Sequence, residues 1–254
     1  MKRLVQVDEA EVIAGFLRNE FYERQFDPDR ARFESLVTSP DLKDEAQNAL
    51  RRALLFRRRG HMWRELPPDT QWWRVQPGPE DIQRIRIFGR AQWLWIGRGD
   101  FRVETIVRRI RTHAYPARVE NFVQKIQRIR GSITLSGDAG PVLLIGIDDQ
   151  NPLVVLEGNH RVAAALLDSY QRFAGLNFYC GFSPNMAKSC WYRTNLPSLW
   201  RYLKNRLRNV NDREADVDRL LRETARPATS APVSGNEVGG SPWKQDSELL
   251  RARR

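Results

Sequence analysis

The sequence predicts an α+β fold: a small mixed sheet with helices, preceded by a helical N-terminal extension and followed by a disordered tail. Three observations carry the prediction. The run from Leu153 to Leu167 passes from a continuous apolar stretch, through Glu157 and Gly158, into an alanine-rich stretch of helical type. A second apolar stretch, Pro141 to Ile147, precedes it across the turn residues Asp148-Asp149-Gln150-Asn151, which is the pattern of a β-hairpin. Elsewhere apolar residues recur at helical spacing, as in Val119, Phe122, Ile126 and Ile129.

Taken in order, residues 1–68 read as the helical extension. Val12, Phe16 and Leu17 fit one amphipathic helix; Ala46, Ala49, Leu50, Ala53 and Leu54 fit another. Leu66-Pro67-Pro68-Asp69-Thr70 is a boundary. The second domain, 69–192, opens with a first strand at Gln71-Trp72-Trp73-Arg74-Val75. Trp93-Leu94-Trp95-Ile96 alternates like a half-buried strand, Gly97-Arg98-Gly99-Asp100 turns the chain, and Asp100 is placed to cap a helix from about Phe101 to Arg111. A helix over Arg118 to Arg130, the hairpin, the helix after Gly158 and a returning strand, Leu176 to Phe182, complete this domain. Residues 193–222 read as a C-terminal helical segment, with a helix from Arg193 to Asn209 closing over this domain. Residues 223–254, rich in Pro, Gly, Ser and Ala, read as a disordered tail.

The junction at Gly158 carries the chemistry. A glycine between strand and helix lets the backbone approach a ligand closely, and the unpaired N–H groups at the start of the helix, with its positive dipole end, then face that ligand. Asn159, His160 and Arg161 fill the first turn. A helix start prefers acidic side chains, so an arginine there fits best if a phosphate supplies the negative charge, gripped by the guanidinium fork. Removal of Arg161 is expected to end binding of the phosphate-bearing ligand while leaving the fold intact. His160 is read as a donor to phosphate or as a packed side chain, and Glu157 as a group that holds Mg²⁺ or orients a nucleophile, or as a helix cap.

Glu157-Gly158-Asn159-His160-Arg161, followed by Val162-Ala163-Ala164-Ala165, resembles the signature of the ParB/sulfiredoxin superfamily, which presents Gly-x-x-Arg between a strand and a helix. With the hairpin and the two helices, the resemblance covers roughly half of the chain. It implies nucleotide phosphates held by Gly158, Asn159, His160 and Arg161. It also implies that the preceding helix supplies a cation and small polar residues, which by position fall on Arg118, Asn121 and Lys125; Lys125 replaces a hydroxyl residue. Spacing alone allows that Arg118, Asn121, Lys125 and Arg128 are simply a solvated basic face. Asn159 stands where sulfiredoxin has its reactive cysteine, and an amide is no thiolate nucleophile, which argues against sulfinic acid repair. Partition-type members have Gly-Glu-Arg-Arg, an acid this chain lacks. A branch containing free amino-acid kinases has Asp-Gly-His-His-Arg, and the present motif is closest to that version. The implied function is binding of ATP or a related nucleotide with Mg²⁺, followed by phosphoryl transfer or hydrolysis. The alternative is a DNA-binding or nuclease-like accessory protein of the ParB type.

Composition sets outer limits. The chain has 254 residues, 41% hydrophobic with 8 tryptophans, enough for a sizeable core. No apolar stretch reaches a membrane span and the start resembles no signal peptide, so the expected compartment is the cytoplasm, with no membrane partner. The two cysteines, Cys180 and Cys190, lack zinc-ligand spacing and are expected as reduced, partly buried thiols. The net charge of +11 lies before residue 211 and concentrates in Arg51-Arg52, Arg57 to Arg59, Arg108 to Arg111 and Arg201 to Arg208. Such clusters would draw DNA in a salt-dependent manner, or form an exposed arginine-rich surface without a partner. Trp63, Trp72, Trp73, Trp93 and Trp95 fit core packing better than base stacking. Oligomeric state is left open.

Overall fold

A computed structural model describes residues 1–89, 91–132, 140–208 and 216–224. The chain begins with strand β1 (Lys2–Val7), helix α1 (Glu9–Glu20), a short 3₁₀ turn, α2 (Asp27–Thr38) and α3 (Glu45–Trp63). Then come β2 (Gln71–Gln76), β3 (Ile85–Ile87), α4 (Gln92–Gly97), α5 (Val103–Arg111) and α6 (Glu120–Ser132). The hairpin β4 (Val142–Gly146) and β5 (Leu153–Glu157) leads into α7 (Asn159–Asp168), α8 (Tyr170–Ala174), β6 (Phe178–Phe182), α9 (Leu196–Arg208) and α10 (Val217–Thr224).

The fold is mixed α+β. Its six-stranded sheet has the order β1-β2-β6-β4-β5-β3. β6 lies parallel to β4 and β3 parallel to β5, while the β1/β2, β2/β6 and β4/β5 pairs are antiparallel. The hairpin forms as its sequence predicts: Asp148 Oδ1 accepts the backbone N–H groups of Gln150 and Asn151, both at 2.8 Å, closing the turn.

The central strands are apolar at nearly every position because both faces of the sheet are covered. Val142 and Leu144 of β4, with Leu153 and Val155 of β5, point into a core shared with α4 to α8. Leu143, Ile145, Val154 and Leu156 alternate to the other face, where Val12, Phe16, Leu54 and Trp63 of the N-terminal helices pack against them. The stretch 1–68 is thus helical in α1 to α3, and its core continues across the boundary near Pro67: β1 pairs with β2, and the three helices form one of the two layers on the sheet.

Two local expectations are corrected. Trp93 to Ile96 is not a strand but the centre of α4, with Trp93, Ile96 and Gly97 buried at helical spacing and Leu94 and Trp95 exposed. Four residues that alternate in hydropathy fit either period, and packing of Trp93 on Phe122 decides for the helix. Asp100 stands two residues ahead of the helix cap, which is Arg102. Its carboxylate accepts from the backbone N–H of Arg102 at 3.1 Å and from the Thr105 hydroxyl at 2.8 Å, so it ties down the approach to α5. The helix expected from Arg193 runs from Leu196 to Arg208 and packs on the end of α3. The expected tail from 223 lies outside the described residues, apart from the last two residues of α10.

Candidate anion-binding site

β5 ends at Glu157, and Gly158 turns the chain into α7 in the left-handed conformation, with φ 95° and ψ 15°. Two constraints demand glycine there. A side chain resists this φ, and a Cβ would lie 3.0 Å from Val142 Cγ2 in the neighbouring strand. The Gly158 carbonyl accepts the first helical bond, from Val162 N–H at 2.9 Å, which leaves the N–H groups of Asn159, His160 and Arg161 at the open end of the helix. No acidic residue stands in the first turn of α7, nor in those of α4, α8 and α9, whereas α1, α2, α3, α5 and α6 each carry at least one.

The side chains around this turn divide between two faces. On one face Arg161 donates to the carbonyl oxygen of Gly140, at the approach to β4, and its guanidinium also reaches within 3.4 Å of the position a Gly158 Cβ would take. Burial lowers the pKa of Arg161, and the charges of Glu157 and Glu20 oppose that effect. Glu20, at the end of α1, is pushed up chiefly by burial and then by the Glu157 charge, while an ion pair with Arg59 at 2.9 Å pulls it back. Glu157 folds its Oε1 onto its neighbour's backbone, accepting the Gly158 N–H at 2.8 Å. Glu20, Arg59, Glu157 and Arg161 therefore form an alternating charge cluster at the junction of α1, α3, β5 and α7. Neither Glu20, Arg59 nor Gly140 was anticipated from the sequence.

On the other face His160 sits between aromatic rings, 5.5 Å from the Trp93 centroid and 5.0 Å from that of Phe122. Burial, with the nearby charges of Lys125 and Arg161, pushes its pKa down to about 4, so the ring is neutral at pH 7. His160 Nε2 and Asn159 Oδ1 are both buried without a hydrogen-bond partner among the described residues. α6 packs along α7 and brings Lys125 toward His160; Asn121 is exposed one turn earlier on α6. Arg118 lies just ahead of α6, its guanidinium 3.2 Å from the centre of the Trp95 ring. The sequence-predicted residues thus gather around the first turn of α7 in two groups: Glu157 and Arg161 toward α1 and α3, and His160 and Lys125 toward α6. Arg118 is held apart on Trp95.

A cleft of about 430 Å³ opens beside the Gly140 carbonyl that anchors Arg161; Arg18, Asn19, Arg74, Pro141 and Tyr179 line it. It joins segments far apart in the chain, and no local motif signals it. Among the described residues no group of three or more His, Cys, Asp and Glu side chains could hold a metal. Mg²⁺ would fit here as an ion carried largely by substrate phosphates, with Glu157 as a protein carboxylate, the way Mg²⁺ is commonly bound. Cys180 and Cys190 are free and buried; burial drives the Cys180 thiol well up and Cys190 to about 12, so neither offers a thiolate.

Much of the arginine excess is engaged inside the fold. Arg57 and Arg58 both pair with buried Asp29, at 2.7 and 2.8 Å, and Arg52 pairs with Glu9. Arg51 is fully buried, donating to the carbonyls of Leu36 and Asp41. Arg109 donates to Ile96 O and Gly97 O at the end of α4, and Arg111 to Leu166 O at the end of α7. No described helix is long and apolar enough to cross a membrane. Comparison with protein-family models, with curated proteins and with solved structures gave no match.

Proposed function

We propose that this chain binds a nucleotide of the ATP type, its phosphates seated on the start of α7, and that it catalyses phosphoryl transfer or hydrolysis with Mg²⁺. The observation that carries the reading is the turn itself. A left-handed glycine opens a ten-residue helix whose first turn holds an arginine and no acid, the electrostatic inverse of an ordinary helix start. The backbone N–H groups would take one phosphate, Arg161 and Lys125 would flank it, and neutral His160 would add a hydrogen bond without a further charge. Glu157, at the carboxyl end of β5, would hold the metal or orient the attacking oxygen. The resemblance to the kinase-like branch of the ParB/sulfiredoxin superfamily supports the same assignment. The DNA-binding alternative rests on net charge: Arg51, Arg52, Arg57, Arg58, Arg59, Arg109 and Arg111 hold carboxylates or carbonyls of the protein, as Arg161 holds Gly140 O, while Arg108, Lys204 and Arg206 are exposed.

The test is thermal unfolding of the protein against a nucleotide panel, with and without Mg²⁺. A ligand that binds only the native state raises the apparent stability, by about 2.7 kcal/mol at a hundred times Kd. A Tm rise selective for a nucleoside triphosphate and lost in Arg161→Lys is expected. No shift with any nucleotide at millimolar concentration overturns the reading.

A further inference from the structure

Helix α9 is folded with its polar side inward. Ser198 and Asn205, spaced seven residues apart, are 3% and 8% exposed, whereas Leu196, Trp200, Leu203 and Leu207 are 84%, 73%, 51% and 74% exposed. This orientation is fixed by specific bonds. Asn205 Nδ2 donates to the buried carboxylate of Glu65 at 2.7 Å, and Arg201 approaches the other oxygen of that carboxylate at 3.7 Å. At the start of the helix Asn195 and Ser198 cap each other: Ser198 N–H donates to Asn195 Oδ1 and Asn195 N–H to Ser198 Oγ, both at 2.9 Å. Asn205 and Arg201 meet the Glu65 carboxylate only while α9 keeps this face inward, which holds the leucines outward.

The exposed stripe has the spacing of a helix-pairing seam. Leu196, Trp200, Leu203 and Leu207 follow one another at intervals of four, three and four, and Leu199 widens the stripe. Lys204 and Arg206 flank it, both exposed, and no acidic residue occurs between Thr194 and Arg208. Two copies of α9 laid together would set cation against cation along both edges, which opposes self-pairing. A helix with apolar residues at the same spacing and acids on its flanks would cover the leucines and neutralise the rim.

We propose that α9 is a docking surface for an amphipathic, acid-flanked helix of a partner protein. The inference is independent of the nucleotide reading. Its test uses the full chain and two fluorescein-labelled 21-residue probe peptides with leucine at both seam positions of each heptad, one flanked by glutamate and the other by lysine. Fluorescence anisotropy should show saturable binding of the glutamate peptide that weakens with salt, and at least tenfold weaker binding of the lysine peptide. Leu203→Asn combined with Leu207→Asn should cut affinity for the glutamate peptide at least tenfold without changing Tm, because both side chains are exposed. Lys204→Glu with Arg206→Glu should reverse the preference between peptides. No binding of the glutamate peptide at 100 μM, roughly a Kd limit of −5.5 kcal/mol, overturns the proposal. So does equal binding of both peptides, a concentration-dependent dimer in sedimentation that these leucine changes dissolve, or loss of peptide binding in favour of phosphatidylserine vesicles or single-stranded DNA.

Discussion

Replacing Arg161 by alanine tests the structure and the proposed function together, and here the structure alters what the sequence suggests. Sequence alone treats Arg161 as a ligand-facing side chain that the fold can lose. In the structure its guanidinium donates to Gly140 O and stands between the charges of Glu157 and Glu20. A hydrogen bond from a charged donor contributes about 1.5–3 kcal/mol, and stripping the cation from partly buried carboxylates adds to the loss. Arg161→Ala should therefore destabilise the protein by about 2–4 kcal/mol at pH 7. The loss should shrink toward pH 5. Burial and the Glu157 charge already raise the Glu20 pKa, and without Arg161 it takes up a proton more readily, which relieves its repulsion with Glu157. Urea unfolding followed by tryptophan fluorescence at pH 7 and pH 5 reads both quantities. Nucleotide affinity, measured where the variant is still fully folded, should fall about tenfold to a hundredfold. A variant as stable as the parent at both pH values would refute the packing role. A folded variant with unchanged nucleotide affinity would refute the phosphate role.

Glu157→Gln should leave nucleotide affinity within a few-fold of the parent and lower turnover by roughly 10², the scale for losing a positioned acid–base or metal group; phosphate release at saturating nucleotide measures it, and unchanged turnover removes Glu157 from the chemistry. His160 links stability to pH. The unfolded chain binds a proton near pH 6.5 and the folded chain only near 4, so acidification across that window favours unfolding and stability rises from pH 4 to 6.5. The ring is incompletely buried, and about 1–2 kcal/mol of that slope should vanish in His160→Gln, as urea midpoints across the window would show. Gly158→Ala should cost about 2–3 kcal/mol from the left-handed backbone and the contact with Val142, and a urea midpoint equal to that of the parent would exclude the strained turn.

What the sequence made legible was local. The hairpin and the passage through Gly158 into α7 appear within some twenty-five residues of chain, as a turn residue set, an apolar run and a change of period. β1 escaped because its side chains are almost all exposed, so the strand has no buried face to impose alternation. β3 escaped because three residues carry no period at all. Trp93 to Ile96 misled for a related reason: four residues are too few to separate the periods, and the helix buries Trp93 with Ile96 where a strand would have buried Trp93 with Trp95. The candidate site shows the same division. Gly158 to Arg161 is a contiguous motif, whereas Glu20 meets Arg59 across 39 positions and Arg161 meets Gly140 across 21. Contacts of that separation are set by how α1 and α3 lie on the sheet, and no spacing rule encodes them.

The arginines show why net charge is a coarse guide to the surface. A count of +11 treats every guanidinium as a potential surface cation, but a planar donor with five N–H groups can also satisfy carbonyls that a helix end leaves open. Arg109 does this at the end of α4 and Arg111 at the end of α7, where a cation also complements the negative end of the dipole. α7 is therefore compensated at its carboxyl end by Arg111. At its amino end it has Arg161, a cation where the dipole favours an anion, faced by the charges of Glu157 and Glu20, with Glu157 accepting the Gly158 N–H. A phosphate at that end would balance both the dipole and Arg161. The placement of charge along this one helix, more than the surplus over the whole chain, makes a phosphate-bearing ligand the better reading.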